Sequence, residues 1–311
     1  MSARRLNTSS HGLTAALLHL TTTLSVTSTL LLGLLSASAQ AATSVNIDAI
    51  KADPALEKLL PTAYQHAGKT LTTGVNPDVA PVKFIDDDGK IAGFIPDLVS
   101  AGAKKLGLKI DFQQTSFDAL IPGMKAKRFD FILSLADFPS RQKILTLVDY
   151  LNIGETVVAK PTATYNIKSL DDLCGLSASI PRGTATVQMA DDLSQKCIAA
   201  GKKALSPTTY PDTNTTLLAL GNDSANVAWI DSPVASYNAT KFPARYKILY
   251  SQYIAPYGVG FGADDDGKQL AAAFQGAFLA LQKEGVYAAL MQKWGLSAAD
   301  AVPTFPINGA K

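Results

Sequence analysis

GFIPDLVSAGAKKLGLKIDFQQTSFDALIPGMKAKRFDFILS, running from Gly93 to Ser134, is the stretch whose reading decides the fold. From Pro96 to Leu106 its apolar residues recur at helical spacing, and Gly107 supplies the stop. Lys109 to Gln113 then reads as a strand and Phe117 to Lys125 as a second helix. Phe129 to Leu133 is a short apolar run of the kind a buried strand needs. Such alternation predicts a sheet covered by helices on both faces.

Outward from this stretch the same grammar continues. Upstream, Thr70 to Val75 predicts a strand, and Val82 to Ile85 and Ile91 to Phe94 predict two more, joined by a turn at Asp88-Gly89. Downstream, Pro139 to Gln142 is a short helical turn. The pattern restarts at Leu170 with a helix capped by Ser169, a strand Leu176 to Ile180, a glycine turn at Gly183 and a helix to about Ala200. Helix Thr213 to Leu220 and strand Val227 to Ile230 follow, then strand Val259 to Phe261 and helices Lys268 to Lys283 and Val286 to Lys293.

Two α/β units followed by a C-terminal piece too small to stand alone imply that the tail folds back onto the first unit. The expected result is two lobes crossed by two connecting segments, near Val157 to Pro161 and near Ile254 to Gly258. Lobe one is then 69–159 with 255–311, lobe two is 160–254, and 42–68 is a polar lead-in. A cleft between the strand ends of two such lobes suits a small molecule.

The 311 residues are 47% hydrophobic and carry 28 Lys plus Arg against 26 Asp plus Glu. That is enough chain for a substantial core and too little positive charge to grip nucleic acid phosphates. No charged residue occurs between Arg5 and Asp48. Arg4 and Arg5, the apolar segment Leu13 to Leu35 and the small-x-small end Ala39-Gln40-Ala41 form the three-part signature of a signal peptide, 1–41. A retained anchor is the competing reading, because the uncharged run is long enough to span a bilayer. Its Thr and Ser content and its cleavage-like end favour removal, and no Cys follows it for a lipid anchor. The expectation is a soluble exported chain starting near Ala42. Cys174 and Cys197, the only two cysteines, then read as one disulfide in an oxidising compartment. A redox dithiol or metal site lacks C-x-x-C spacing and a neighbouring His.

Scarcity narrows the chemistry. Past residue 41 the chain has one His, His66, and three Glu, Glu57, Glu155 and Glu284. No His/Cys metal cluster can be assembled, a catalytic triad would have to use His66, and no catalytic residue, metal or cofactor is expected. The Asp-Asp-Asp-Gly-Lys runs at Asp86 and Asp264 lack the acid spacing of a calcium loop and read as exposed turns. Four Arg remain past residue 41: Arg128, Arg141, Arg182 and Arg245. Arg141 follows a buried strand, and its fork can hold a carboxylate bidentately. Gly183-Thr184-Ala185-Thr186 sits at a strand-to-helix junction, where N–H groups and the helix dipole favour an anion. Asp231 lies just after its strand, placed to accept an ammonium. Together these suit an α-amino acid zwitterion. Each also has a plainer reading, as a surface salt bridge for Arg141, a helix cap for Thr184 and a cap or turn for Asp231.

The order of these motifs resembles the extracellular solute-binding proteins, family 3, that deliver amino acids to ABC importers. The resemblance covers roughly residues 68–296. Gly93 to Ser134 matches the family's first-lobe pattern, Pro139-Ser140-Arg141 resembles its Pro-Glu-Arg, and Arg182-Gly183-Thr184 resembles its second-lobe Gly-Thr. Trp229 to Val234 sits where the family carries its ammonium-binding Asp. Pro256 to Val259 and Gly285 to Gly295 resemble its return to lobe one and its last helix. The implied fold is α/β, the two-lobed periplasmic-binding-protein type II fold, with a mixed sheet flanked by helices in each lobe, a ligand cleft between lobes and two hinge crossings.

The resemblance implies that Arg141 and the Gly183, Thr184, Ala185 turn bind an α-carboxylate and that Asp231 binds the α-ammonium. Ser134 would add a hydroxyl or backbone contact, and Phe117 would pack on the ligand side chain. Asn76 stands where Asp is frequent and would read the side chain or the ammonium neighbourhood. Val79 stands where Tyr or Phe usually stacks on the ligand, and Ala136 replaces the expected Ser or Thr. Asp137 and Arg182 stay open between selecting a charged side chain in the cleft and lying at the rim. The implied partners are a small-molecule ligand, an amino acid or derivative, and the membrane permease of an ABC importer. Nucleic acid is not among them, and the protein is expected as a monomer in the periplasm. The rival readings are a dehydratase-like periplasmic enzyme on the same scaffold and a ligand-presenting sensory component. The enzyme would need an acid or base in the cleft, and neither His66 nor the three Glu fall in cleft motifs.

Overall fold

A computed structural model describes residues 45–65 and 68–310, so the expected signal peptide and His66 lie outside the described residues. After the short helix α1 (Pro54–Glu57) and strand β1 (Thr70–Val75) come three small strands, β2 (Asp78–Val79), β3 (Lys83–Ile85) and β4 (Ile91–Ala92). Helix α2 (Phe94–Lys105), β5 (Lys109–Gln114), α3 (Leu120–Lys125), β6 (Phe131–Ala136), α4 (Pro139–Gln142) and the long strand β7 (Leu145–Ala159) follow. The next part runs β8 (Ser177–Pro181), α5 (Ala185–Ala199), β9 (Ser206–Tyr210), α6 (Thr213–Gly221), β10 (Val227–Asp231) and α7 (Ser232–Lys241). A second long strand, β11 (Lys247–Gly262), leads to α8 (Asp265–Lys283) and α9 (Val286–Lys293).

Eight strands form one ladder in the order β5-β1-β6-β11-β7-β10-β8-β9, while β2, β3 and β4 make a small antiparallel sheet. The two outer trios, β5-β1-β6 and β10-β8-β9, are parallel within themselves. Between them β7 and β11 pair antiparallel from Leu145 with Gly262 to Ala159 with Lys247. Their register shifts between Ile248 and Tyr250, between Tyr253 and Ala255, and between Tyr257 and Gly258. The two crossings expected near Val157 and Ile254 are therefore parts of two long paired strands. The sequence reading had no strand at Leu145 to Ala159 and only the end of β11. Fourteen of β7's fifteen residues are buried, all but Asn152, and a strand buried on both faces shows no alternation.

The first-half core is built where α2 meets α8. Phe94, Ile95, Leu98 and Val99 are buried together with Leu270, Phe274, Phe278 and Leu281. Each such side chain contributes roughly 1.5–3 kcal/mol on leaving water. The junction before α2 requires a glycine: Gly93 has φ 129°, and a Cβ there would come within 2.5 Å of the Val82 carbonyl oxygen. Helices α8 and α9 of the C-terminal part contribute to this core. Past α9 the chain lies along β7, where Asn308 N–H donates to Leu147 O at 2.8 Å and Asp149 N–H to Pro306 O at 3.0 Å. The lead-in is tied down as well, by the Tyr64 hydroxyl donating to Asp130 at 2.8 Å.

The second half centres on Leu173, Ile180, Leu193, Leu205 and Trp229. Cys174 and Cys197 are bonded and join the turn before β8 to the last turn of α5. Both Asp-rich runs are turns or caps: Asp86 closes the β3–β4 turn, and Asp264 accepts from Gly267 N–H at 2.9 Å at the head of α8.

Candidate ligand cleft

The two halves meet around a cavity of about 30 Å³. Its walls come from the β1–β2 region, β3 and α3's lead-in on one side and from the heads of α5, α6 and α7 on the other. Of the residues expected to bind ligand, Asn76, Val79, Phe117, Ser134, Arg182, Thr184 and Asp231 line it. The space is that of one water. Access for anything larger requires the halves to part.

Asp231 stands at the N-cap position of α7 yet makes no cap hydrogen bond. Its carboxylate accepts instead from the Tyr257 hydroxyl on β11. Desolvation pushes the Asp231 carboxyl above its ordinary range; the Tyr257 hydroxyl and the charges of Lys83 and Arg141 pull it back. Arg141, on the single turn of α4, donates from Nη1 to Ala136 O at 2.8 Å. The guanidinium lies 5.9 Å from the Phe117 ring centre and 5.8 Å from that of Phe138. Burial lowers its pKa, opposed first by Asp231 and then by Tyr257 and Asp137; a guanidinium remains charged through such a change. Arg141 is therefore held behind Phe117, beside the cavity and not in its wall, and Ala136 serves as its carbonyl anchor.

The strand-to-helix junction runs from β8 through Gly183 into α5. Gly183 has φ 79°, and Thr184 is the N-cap of α5 with its hydroxyl turned back to Pro181 O at 2.8 Å. No side chain caps α5, whose first residue is Ala185. Ser134 adopts φ 57° within β6 and shares a hydrogen bond with the Tyr150 hydroxyl at 2.6 Å. A non-glycine residue in the left-handed region is uncommon and clusters at sites that hold a ligand or catalyse a reaction.

Two residues left open in the sequence now have places. Arg182 Nε donates to Asp118 across the cleft at 3.0 Å, with both side chains about half exposed. Asp137 is buried, but its oxygens are engaged by Gln142 Nε2 at 2.9 Å and by Ala310 N–H at 3.1 Å, and it does not line the cavity.

Four further groups were not singled out in the sequence. Lys83 is buried and donates from Nζ to Asn76 O at 2.8 Å and Asn76 Oδ1 at 2.6 Å, with Asp78 at 3.8 Å. Desolvation lowers its pKa, against the pull of Asp78 and Asp231. Asp78 Oδ2 accepts from Thr213 N–H at 2.9 Å. Tyr257 supplies the hydroxyl on Asp231. Glu155, set aside in the sequence as outside the cleft motifs, pairs in register with Asp231 and accepts from the Thr186 hydroxyl at 2.7 Å. Burial, and then the Asp231 charge, hold its carboxyl well above the usual range. Of these, only the Asp at 78 carried a sequence signal, as an acid two residues after Asn76.

Two α/β halves joined by paired strands around one enclosed, charged cavity define a two-lobed binding protein of the periplasmic type II architecture. The pattern of bacterial extracellular solute-binding proteins, family 3, matches residues 71–297, and the chain belongs to that family. It is 33% identical over 252 residues to the arginine-binding protein ArgT of Corynebacterium glutamicum, covering 78% of this chain and 79% of that protein. An ancestral arginine-binding protein bound to arginine superposes with a TM-score of 0.67 at 26% identity, over 74% of this chain and 99% of the other. The ancestral amino acid-binding protein AncCDT-1, a precursor of cyclohexadienyl dehydratase, superposes with a TM-score of 0.64 at 27% identity, over 72% and 95%. Among the described residues no helix is long and apolar enough to cross a membrane, and no group of His, Cys, Asp and Glu could hold a metal ion.

Proposed function

We propose that the protein captures an α-amino acid, or a derivative that keeps the α-carboxylate and α-ammonium, and presents it to the permease of an ABC importer. The observation that carries this is a buried carboxylate, Asp231, in the cavity wall with a buried guanidinium, Arg141, just beside that wall, the two close enough to bias each other's ionisation. The carboxylate of the ligand is assigned to Arg141 and the uncapped head of α5 at Thr184, and its ammonium to Asp231. Phe117 and Val79 supply apolar walls and Ser134 a hydroxyl. Because the two lobes, 69–159 with 255–311 and 160–254, each hold part of the zwitterion, the ligand favours the closed state through contacts it makes only there. The closed form is the species the permease recognises. Micromolar binding corresponds to about 8 kcal/mol, within reach of a desolvated Arg, helix N–H donors and one carboxylate. The working state is a monomer in the periplasm, freed of its signal peptide, acting as a binder and not an enzyme.

The test is calorimetric titration of Arg141→Ala with a panel of α-amino acids. Loss of binding with a melting temperature close to that of the parent supports the reading, and retention of full affinity overturns it. AncCDT-1 and the perturbed carboxyl of Glu155 give the enzyme reading a specific basis. Incubation with cyclohexadienyl acids would reveal product if that reading were right.

A further inference from the structure

Lys83 is a buried charge that a zwitterion leaves unanswered. Its side chain is 2% exposed and lines the cavity beside Asn76, Asp78 and Asp231. An ammonium has three N–H donors. Two are spent on Asn76, at 2.8 and 2.6 Å, and the nearest carboxylate oxygen, of Asp78, is at 3.8 Å. That carboxylate is itself engaged, its Oδ1 by the Asn76 side-chain amide and its Oδ2 by Thr213 N–H. The other cation in the wall, Arg182, is already paired with Asp118.

With Asp231 assigned to the ligand's α-ammonium, the two other carboxylates of the wall are already engaged, Asp78 as above and Asp212 by the backbone N–H and the hydroxyl of Thr215. A cationic side chain would sit next to Lys83 in a water-poor space, where like charges repel strongly and an unpaired charge is costly to bury. An oxygen acceptor in the same place would take up the third N–H of Lys83. Resting on the zwitterion reading, we propose that Lys83 sets the specificity of the cleft: the ligand is an α-amino acid whose side chain ends in a carboxamide or carboxylate oxygen, and one ending in a guanidinium or ammonium is disfavoured. This separates the chain from the arginine-binding protein it is similar to.

The experiment is calorimetric titration of the protein, of Lys83→Met and of Lys83→Arg with L-glutamine, L-glutamate and L-arginine. In the parent, glutamine or glutamate is expected to bind at least tenfold tighter than arginine. Lys83→Met should weaken that ligand about tenfold and narrow or reverse the gap, while Lys83→Arg, which keeps the charge, should preserve the order. If arginine binds tightest to the parent, or Lys83→Met leaves the ratio unchanged, the specificity assignment is overturned while the zwitterion reading stands. If none of the three binds but a solute without an α-carboxylate does, both fall together. The parent's ranking decides the matter even if Lys83→Met fails to fold.

Discussion

The Asp78 carboxylate, on β2, accepts a hydrogen bond from the backbone N–H of Thr213, the first residue of α6, at 2.9 Å across the cleft. A negative charge at a helix N-terminus is favourable, and this one joins the two halves at the cavity wall. Thr213→Pro removes the donor at a helix position where proline is tolerated, and the preceding Asp212 is already extended, at φ −152° and ψ 173°. Loss of about 1 kcal/mol would shift the open-to-closed ratio about fivefold. Small-angle scattering of the ligand-free variant should give a larger radius of gyration than the parent. An unchanged radius would show that this bond does not hold the cleft shut.

Gly183 offers a second handle on closure. With φ 79°, an added Cβ would be strained and would sit 3.3 Å from Asp118 Cβ and 3.4 Å from the Phe117 ring, both on the opposite half. Gly183→Ala is expected to cost about 1 kcal/mol locally. It should also weaken ligand binding by roughly fivefold or more, because the crowding exists only when the halves meet. Equal affinities for parent and variant would refute this.

Stability should fall as pH rises, and Asp149 should carry part of the fall. Burial, and then the neighbouring Asp137 charge, push its carboxyl from 3.8 up to about 8. Between those values the folded protein holds a proton that the unfolded chain has released. The stabilisation is complete below the lower value and is lost on passing through the upper one. Melting temperatures measured from pH 5 to pH 9 should decline for the parent and decline less steeply for Asp149→Asn. Parallel curves would exclude Asp149 as the source.

The disulfide should matter for folding and not for ligand. Closing a loop with a sequence separation of 23 residues contributes about 3 kcal/mol on a chain-entropy account. Cys174→Ser with Cys197→Ala should lower the denaturant midpoint accordingly. Calorimetry below the transition should find the parent's affinity, since neither sulfur lies at the cavity.

What could be read from the residues follows from how each signal arises. Gly93 to Ser134 was legible because α2 and β6 present one buried face and a short apolar run, and Cys174 with Cys197 because an exported chain has few uses for a lone pair. Arg141 was legible because arginine is scarce past residue 41, and Asp231 because it ends a short apolar strand. β7 was not, since burial on both faces erases alternation. Lys83 was hidden because β3 has three residues, too few to show which face is inward, and a lysine is rarely buried without a partner. Glu155 was hidden by register: only the pairing of β7 with β10 brings it beside Asp231.

The β7–β11 pair has a mechanical meaning. Two strands hydrogen-bonded along their length resist sliding and separation far more than bending, and bending concentrates where the ladder is irregular, near Tyr253 and Tyr257. The pair then works as a leaf spring with one soft direction. On the proposed function, a partner that gauges the spacing of the two lobes would read a single coordinate, and because Tyr257 is part of the spring and also holds Asp231, the flexing element itself touches the proposed ligand site.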